Sequence, residues 1–155
     1  MIIIGYPGIG KSTLAGRYKE YIDLESSNWN SPDNTKPDNW WWSYGKVAED
    51  LSRQGCRVFV SCHPQVQKYF EESNEYVMVC YPSHTLKYRW IEKLKDRYEQ
   101  YRSMKNLAAL NNVDLFYDEQ IRALDESVFK HKCVLKDMNY TLDNEIDSVI
   151  WSEQQ

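Results

Sequence analysis

The chain has 155 residues, 42% of them apolar and 14% aromatic, and its 19 Lys and Arg against 23 Asp and Glu give a net charge of −4. A chain of this length buries roughly two thirds of its unfolded surface, so a single domain spanning 1–155 needs neither disulfides nor metal for its core. The excess of acidic residues argues against a main function in coating nucleic acid or an anionic membrane, because such binding needs a broad basic face.

Localisation follows from what the sequence lacks. No stretch approaches the roughly 18 apolar residues of a membrane span, and the apolar run at 1–4 is too short for a signal peptide, so we expect a cytoplasmic protein. The cysteines show no zinc-ligand spacing and are predicted to be reduced core thiols: Cys56, Cys62, Cys80 and Cys133.

Strand and helix patterns alternate in the first half of the chain. A strand-length apolar run at 1–5 precedes a glycine-rich turn and a helical pattern. That pattern places four apolar residues on one side: Leu14, Ala15, Tyr18 and Ile22. The next predicted elements are a strand at 21–24, a polar loop at 26–39 and a helix from Trp40 to about Arg53.

The second half repeats the alternation. The predicted elements are a strand at 57–62, a short helix at 66–72 opened by Pro64, a strand at 76–81, a long helix from Ser83 past Tyr101, a helix at about 114–126, a strand at 132–135 and a terminal helix capped by Thr141. This order predicts an α/β fold with a parallel sheet covered by helices on both faces.

The segment Gly5-Tyr6-Pro7-Gly8-Ile9-Gly10-Lys11-Ser12 matches G-x-x-x-x-G-K-[S/T] between a predicted strand and a predicted helix. Its glycines let backbone N–H groups converge on phosphate oxygens, where side chains would block the approach. The predicted nucleotide-binding residues are Gly5, Gly8, Ile9, Gly10, Lys11, Ser12 and Thr13. Lys11 would reach the terminal phosphates, and the Ser12 hydroxyl would ligate Mg²⁺.

Two acidic residues follow the second predicted strand. Ligands of α/β sheets bind beyond the carboxyl ends of the strands, where Asp23 and Glu25 are expected. One residue separates them, so both side chains point to the same side of an extended chain. Asp23 is a candidate metal ligand and proton acceptor, and Glu25 a candidate substrate contact. The alternative is a solvated acidic strand end.

A basic helix reverses the overall acidity, with seven Lys or Arg and three Asp or Glu between Lys87 and Lys105. Its predicted apolar stripe is Leu86, Trp90, Leu94, Tyr98 and Tyr101. Arg89 and Arg97 flank this stripe and are predicted to neutralise a transferred phosphoryl group. For Lys93 and Lys95, a solvated face with local ion pairs is favoured.

Motifs of other nucleotide-binding classes do not fit the sequence. A GTPase needs D-x-x-G after the third strand and N/T-K-x-D after a late strand. Thr35-Lys36-Pro37-Asp38 spells the second motif, but it lies in the polar loop before the third strand and is interpreted as chance. No predicted strand ends in the acidic run of AAA-type or helicase-type ATPases.

The pattern resembles the small P-loop kinases of the nucleoside monophosphate kinase and shikimate kinase type. The resemblance rests on the phosphate loop, the D-x-E after strand two, and P-x-x-x-L-x-x-R from Pro82 to Arg89 followed by Arg97. It implies a three-layer P-loop kinase fold with a five-stranded parallel sheet of order 2-3-1-4-5. It also implies that Arg89 and Arg97 belong to a short lid at about 83–105, and that Lys11 and Asp23 take part in catalysis.

The predicted acceptor region departs from that family. The family's Asp-Gly pair after strand three is replaced by Ser61-Cys62-His63-Pro64; His63 could bind substrate, or it could be a loop residue satisfied by backbone. Four tryptophans lie within the insertion at about 26–50: Trp29, Trp40, Trp41 and Trp42. Trp29 and Trp41 are candidate acceptor contacts, and at least two of the three consecutive tryptophans are expected to cover the sheet.

The sequence therefore predicts an ATP- and Mg²⁺-dependent kinase acting on a nucleoside, a nucleotide or another small hydroxyl compound. A neutral acceptor suits the tryptophans and asparagines, whereas a nucleoside monophosphate would need Arg53, Arg89 or a lysine for its phosphate. Two alternatives stay open: an ATP-binding module that regulates a protein partner, and a 5′-hydroxyl kinase of oligonucleotides. The oligomeric state is open as well.

Overall fold

The computed structural model describes residues 1–155, and the chain forms two compact units. The first comprises 1–5, 10–79 and 129–131; the second comprises 6–9, 80–128 and 132–155. The strands are β1 (Ile2–Gly5), β2 (Tyr21–Asp23), β3 (Arg57–Val60), β4 (Val77–Pro82) and β5 (His131–Leu135). They form one sheet in the order β2-β3-β1-β4-β5, which confirms the predicted parallel α/β architecture.

The near-continuous apolar strands are buried, as strands covered on both faces must be. Every residue of β1 and β4 is buried, and in β3 only Arg57 is partly exposed. β3 pairs in parallel with both β1 and β2, with Val60 opposite Ile4 and Phe59 opposite Asp23. The carboxyl ends of these three strands therefore meet at one edge of the sheet.

Five helices lie between the strands and a sixth follows β5: α1 (Lys11–Arg17), α2 (Trp40–Arg53), α3 (Pro64–Glu71), α4 (Lys87–Gln100), α5 (Met104–Asp125) and α6 (Leu142–Glu153). A short 3₁₀ turn, Ser26–Trp29, interrupts the predicted polar loop. α2 packs against α3 and β3, and α4 packs against α5. None of these helices combines the length and the apolar composition of a membrane-spanning helix.

The predicted single helix from Ser83 past Tyr101 is wrong. The chain first makes a 3₁₀ turn, His84–Leu86, and α4 ends before Tyr101, whose backbone is extended. Ser103 then caps α5, because its hydroxyl accepts a 3.0 Å hydrogen bond from the Asn106 N–H. A side chain that satisfies the first free N–H groups starts a new helix there, so α5 begins ten residues earlier than the predicted 114.

The predicted apolar face of the first helix is also wrong in its second half. α1 ends at Arg17, Tyr18 has an extended backbone and is exposed, and Ile22 belongs to β2. Pairing with β3 takes residues 21–23 into the sheet and overrides the helical spacing. Thr141 does precede α6, but its side chain makes no capping hydrogen bond.

Candidate functional site

The phosphate loop has the backbone that its glycines predict. Gly8 and Gly10 have φ angles of 91° and 105°, in the left-handed region that L side chains rarely adopt. α1 begins immediately afterwards at Lys11. The Lys11 Nζ donates a 3.1 Å hydrogen bond to the Gly5 carbonyl, so the side chain folds back along the loop. Ser12 and Thr13 are exposed in the first turn of α1.

Two aromatic side chains of the second unit hold the middle of the loop. The Trp90 indole donates a 2.8 Å hydrogen bond to the Pro7 carbonyl, and the Tyr140 hydroxyl donates one of the same length to the Ile9 carbonyl. A Cβ atom on Gly8 would lie 3.1 Å from the Trp90 indole nitrogen and 3.0 Å from Leu94. The loop therefore needs glycine at position 8 for both its φ angle and its packing.

Lys93 lies against this support, and the favoured prediction of a solvated side chain is wrong. Its Nζ donates a 2.8 Å hydrogen bond to the Tyr140 hydroxyl and lies 4.4 Å from the Trp90 ring centroid. Burial lowers the pKa of Lys93, and the neighbouring Arg97 guanidinium lowers it further. Helical spacing could not reveal this environment, because Tyr140 is 47 residues away along the chain.

The two predicted lid arginines differ in surroundings. Arg97 is half-buried near the end of α4, where its Nε donates a 3.0 Å hydrogen bond to Asn106 of α5. Arg89 is exposed on the first half of α4. Leu86, Trp90 and Leu94 form the predicted buried stripe, but Tyr101 lies beyond the helix and is 73% exposed.

The acidic residues after β2 lie near a buried tyrosine that sequence reasoning missed. The Tyr44 hydroxyl donates a 2.7 Å hydrogen bond to the Leu24 carbonyl and accepts one of 2.8 Å from the Ser61 N–H. Burial raises the pKa of this hydroxyl, and the negative charges of Asp23 and Glu25 add to the rise. Tyr44 thus ties the end of β2 to the end of β3, the edge where the carboxylates lie.

His63 occupies the position after β3. Its Nδ1 lies 2.7 Å from the Ser61 Oγ, and its ring meets the Trp40 ring edge-on at 5.2 Å. The partner of the ring is thus a side-chain hydroxyl of the same loop, and substrate binding by His63 stays a prediction. Burial lowers the pKa of His63, and the ammonium groups of Lys36 and Lys11 lower it further. His63 lies within electrostatic reach of the phosphate-loop lysine.

The tryptophans of the insertion serve different purposes. Trp40 is buried against Tyr44, Trp41 is half-buried beside Tyr69 of α3, and Trp42 is 55% exposed. The expectation that two of the three cover the sheet is wrong. Trp29 is half-buried and donates a 3.0 Å hydrogen bond to the Ser43 hydroxyl. Ser43 also lines a surface pocket of about 450 Å³ together with Asn39, Trp41 and Trp42.

Comparison with known proteins supports the fold. No protein-family model matches the sequence, and no curated protein matches it either. Among solved structures, the chain is similar to a shikimate kinase from Bacteroides thetaiotaomicron, with a TM-score of 0.56 and 9% sequence identity. The alignment covers 99% of this chain and 97% of that one. At this identity the likeness shows the P-loop kinase fold and nothing further.

Proposed function

We propose that the protein is a phosphotransferase that moves the terminal phosphoryl group of ATP, with Mg²⁺, to a small hydroxyl acceptor. The observation that carries the proposal is the phosphate loop. Gly8 and Gly10 have left-handed backbones, and Lys11 folds onto the Gly5 carbonyl. The loop connects a buried parallel strand to a helix in a fold shared with a shikimate kinase.

The loop would bind the triphosphate through backbone N–H groups and through Lys11. The hydrogen bond from Lys11 to the neutral Gly5 carbonyl can be exchanged for one to a phosphate oxygen, because the negative charge of the phosphate adds an attraction to the ammonium that the carbonyl lacks. The remaining nucleotide contacts in the proposal are Gly5, Gly8, Ile9, Gly10, Ser12 and Thr13.

Cations of α4 would neutralise the charge that the transferred group carries. Lys93 and Arg97 lie close enough for one to lower the pKa of the other, and their hydrogen-bond acceptors, Tyr140 and Asn106, are uncharged. An anion bound between two neighbouring cations would offset their mutual repulsion. This arrangement therefore supports a phosphate-binding role. Arg89 is exposed, and the proposal gives it the same role.

The oxygen donors near the loop fit Mg²⁺, which binds proteins through one or two oxygen ligands plus substrate phosphates. Ser12 offers an exposed hydroxyl in the first turn of α1, and Asp23 offers a half-buried carboxylate at the end of β2. When bound, the ion supplies positive charge to the triphosphate. These two residues would hold it.

The acceptor would lie near the ends of β2 and β3. Its hydroxyl oxygen forms a bond to the terminal phosphorus of ATP while the bond to the bridging oxygen breaks and ADP leaves. The hydroxyl proton passes to the Asp23 carboxylate and then to solvent. Glu25, Trp29, Trp41 and His63 are the proposed acceptor contacts.

ADP release with a panel of nucleosides, nucleoside monophosphates, small alcohols and hydroxy acids tests the proposal. We expect at least one acceptor to stimulate turnover, and Lys11→Ala to abolish it, while the matched change of the exposed Lys19 to Ala leaves it intact. Normal ATP binding without stimulation by any acceptor would refute a kinase. Slow hydrolysis alone would then point to an ATP-binding module.

A further inference from the structure

We propose that the protein phosphorylates its own Ser61: the serine hydroxyl takes the terminal phosphoryl group of ATP, and His63, its hydrogen-bond partner, accepts the hydroxyl proton. This inference goes beyond the proposed function, because it requires no small acceptor. It rests on the same use of ATP and Mg²⁺ as the phosphoryl donor. It assigns a modification site in the segment 61–64, where the proposed function uses only the histidine.

Ser61 directly follows β3, next to the strand that leads into the phosphate loop. β1 and β3 pair in parallel with Ile4 opposite Val60, so the next residues along the two strands are Gly5 and Ser61. Neighbouring strands lie about 4.8 Å apart. The Gly5 carbonyl accepts the hydrogen bond from the Lys11 Nζ. The serine therefore lies at the strand end beside the lysine that would bind the terminal phosphates.

Ser61 and His63 form the nucleophile and base that phosphorylation of a hydroxyl requires. The His63 Nδ1 lies 2.7 Å from the Ser61 Oγ. When the imidazole carries its proton on Nε2, the serine hydroxyl donates to Nδ1, and this nitrogen is then placed to take the proton. Ser61 is half-exposed, so its hydroxyl is accessible to a ligand.

The surroundings of His63 suit a base. Burial lowers the pKa of His63, and the ammonium groups of Lys36 and Lys11 lower it further. The neutral imidazole, which can accept a proton, is therefore favoured at neutral pH. The ring meets the Trp40 ring edge-on at 5.2 Å, which fixes its orientation towards the serine.

Hydrogen bonds hold the backbone of Ser61 in place. Its N–H donates a 2.8 Å hydrogen bond to the Tyr44 hydroxyl, which donates one of 2.7 Å to the Leu24 carbonyl. The Leu24 N–H donates a 3.0 Å hydrogen bond to the Phe59 carbonyl and joins the ends of β2 and β3 a second time. A nucleophile held in this way reacts faster than a mobile one, because orienting it costs little further entropy.

Charges of both signs act on this pair and its support. Lys36 and Lys11 act on His63, whereas Asp23 and Glu25 act on Tyr44, which binds the Ser61 N–H. A free anion would gain little from such mixed surroundings. Transfer from a nucleotide that the phosphate loop already holds does not require a separate anion site.

The transfer is a single displacement. The Ser61 oxygen forms a bond to the terminal phosphorus of ATP while the bond from that phosphorus to the bridging oxygen breaks, and ADP leaves with the electron pair of that bond. The hydroxyl proton passes to the His63 Nδ1 and then to solvent. The products are one phosphoserine and one ADP.

Incubation of the full chain with ATP and Mg²⁺ but no acceptor, followed by intact-mass and fragment mass spectrometry, tests the proposal. We expect the mass of one added phosphoryl group, located at Ser61. Ser61→Ala should abolish it, and Ser61→Thr, which keeps a hydroxyl, should retain it at position 61. Ser26→Ala is the matched control, because Ser26 is a half-exposed serine after β2 that makes no hydrogen bond to a histidine, and it should leave the modification unchanged. Thermal melting checks that the variants fold.

Two further variants test the base and the path of the phosphoryl group. His63→Gln should slow modification at least tenfold at saturating ATP, since a general base contributes this much or more. Lys11→Ala should not modify itself. Phosphate on K11A chains mixed with wild-type chains, or a rate that rises with protein concentration, would overturn transfer within one chain. Modification of H63Q at the wild-type rate would overturn the role of the histidine.

The results separate this inference from the proposed function. ADP release stimulated by an acceptor, without phosphate at residue 61, would uphold the kinase and overturn self-phosphorylation. Phosphate at Ser61 without stimulation by any acceptor would uphold self-phosphorylation and refute transfer to a small acceptor. Phosphate found only on other residues would overturn the assignment of Ser61.

Discussion

The indole N–H of Trp90 donates a 2.8 Å hydrogen bond to the carbonyl of Pro7, 83 residues earlier in the chain. This bond joins a fully buried side chain of α4 to the middle of the phosphate loop. The same ring packs against Gly8, the residue whose left-handed backbone shapes the loop. The conformation of the loop therefore depends on a helix that the nucleotide-binding motif does not contain.

Trp90→Phe tests this dependence. Phenylalanine keeps an aromatic ring in the core but leaves the Pro7 carbonyl without its donor, which costs about 1 to 3 kcal/mol for a buried group. We expect ATP affinity to fall several-fold, measured by calorimetry, together with a lower melting temperature. Trp151→Phe changes a 66% exposed tryptophan and should alter neither quantity. Unchanged ATP affinity in W90F would show that the loop keeps its shape without the bond.

Arg97→Ala tests the phosphoryl-neutralising role. Because the guanidinium is proposed to act on charge in the transition state, we expect the turnover rate to fall at least tenfold while ATP affinity changes less. Asn106→Ala removes the side chain that accepts the hydrogen bond from the Arg97 Nε. It leaves the charge of Arg97 in place but not its anchor, so comparison with R97A separates the effect of the charge from the effect of its position. Steady-state kinetics and ATP titration measure the two effects. An unchanged rate in R97A would exclude Arg97 from the reaction.

Tyr44→Phe tests the link between β2 and β3. The change removes the hydroxyl that bonds both the Leu24 carbonyl and the Ser61 N–H. Leaving two half-buried backbone groups without this partner should lower the free energy of unfolding by about 1 to 3 kcal/mol, measured by urea denaturation. Tyr88→Phe, at a tyrosine that is 78% exposed, should have little effect. Equal losses in the two variants would contradict a special role for Tyr44.

His63 should make stability depend on pH. Its pKa is lowered in the folded protein by burial and by Lys36 and Lys11, so below about pH 6.5 the unfolded chain binds the proton more readily than the folded one. The free energy of unfolding should therefore fall as the pH drops through this range. His63→Gln should flatten that part of the profile in urea titrations at several pH values. An identical slope in H63Q would mean that His63 titrates normally in the folded protein.

The sequence predicted much of the fold because its signals were local. Apolar runs of strand length identified all five strands to within a few residues, and the sheet order implied by the family resemblance is confirmed. Helix boundaries were less predictable where the backbone of one residue or the cap of another set them, as at Tyr101 and Ser103. The predicted apolar stripe continues to Tyr101, yet the extended backbone of Tyr101 ends α4 and the Ser103 cap begins α5.

The sequence by itself determined the phosphate loop, since its glycine spacing and its place between strand and helix are properties of one continuous segment, residues 2–17. Only the tertiary structure decided what surrounds that loop and the strand ends. Lys93 reaches Tyr140, which bonds Ile9 from 131 residues away, and Lys36 shares the surroundings of His63. Such contacts depend on the register of the strands and on the packing of the helices. A contact between two side chains that are far apart in the sequence leaves no periodic pattern along the chain.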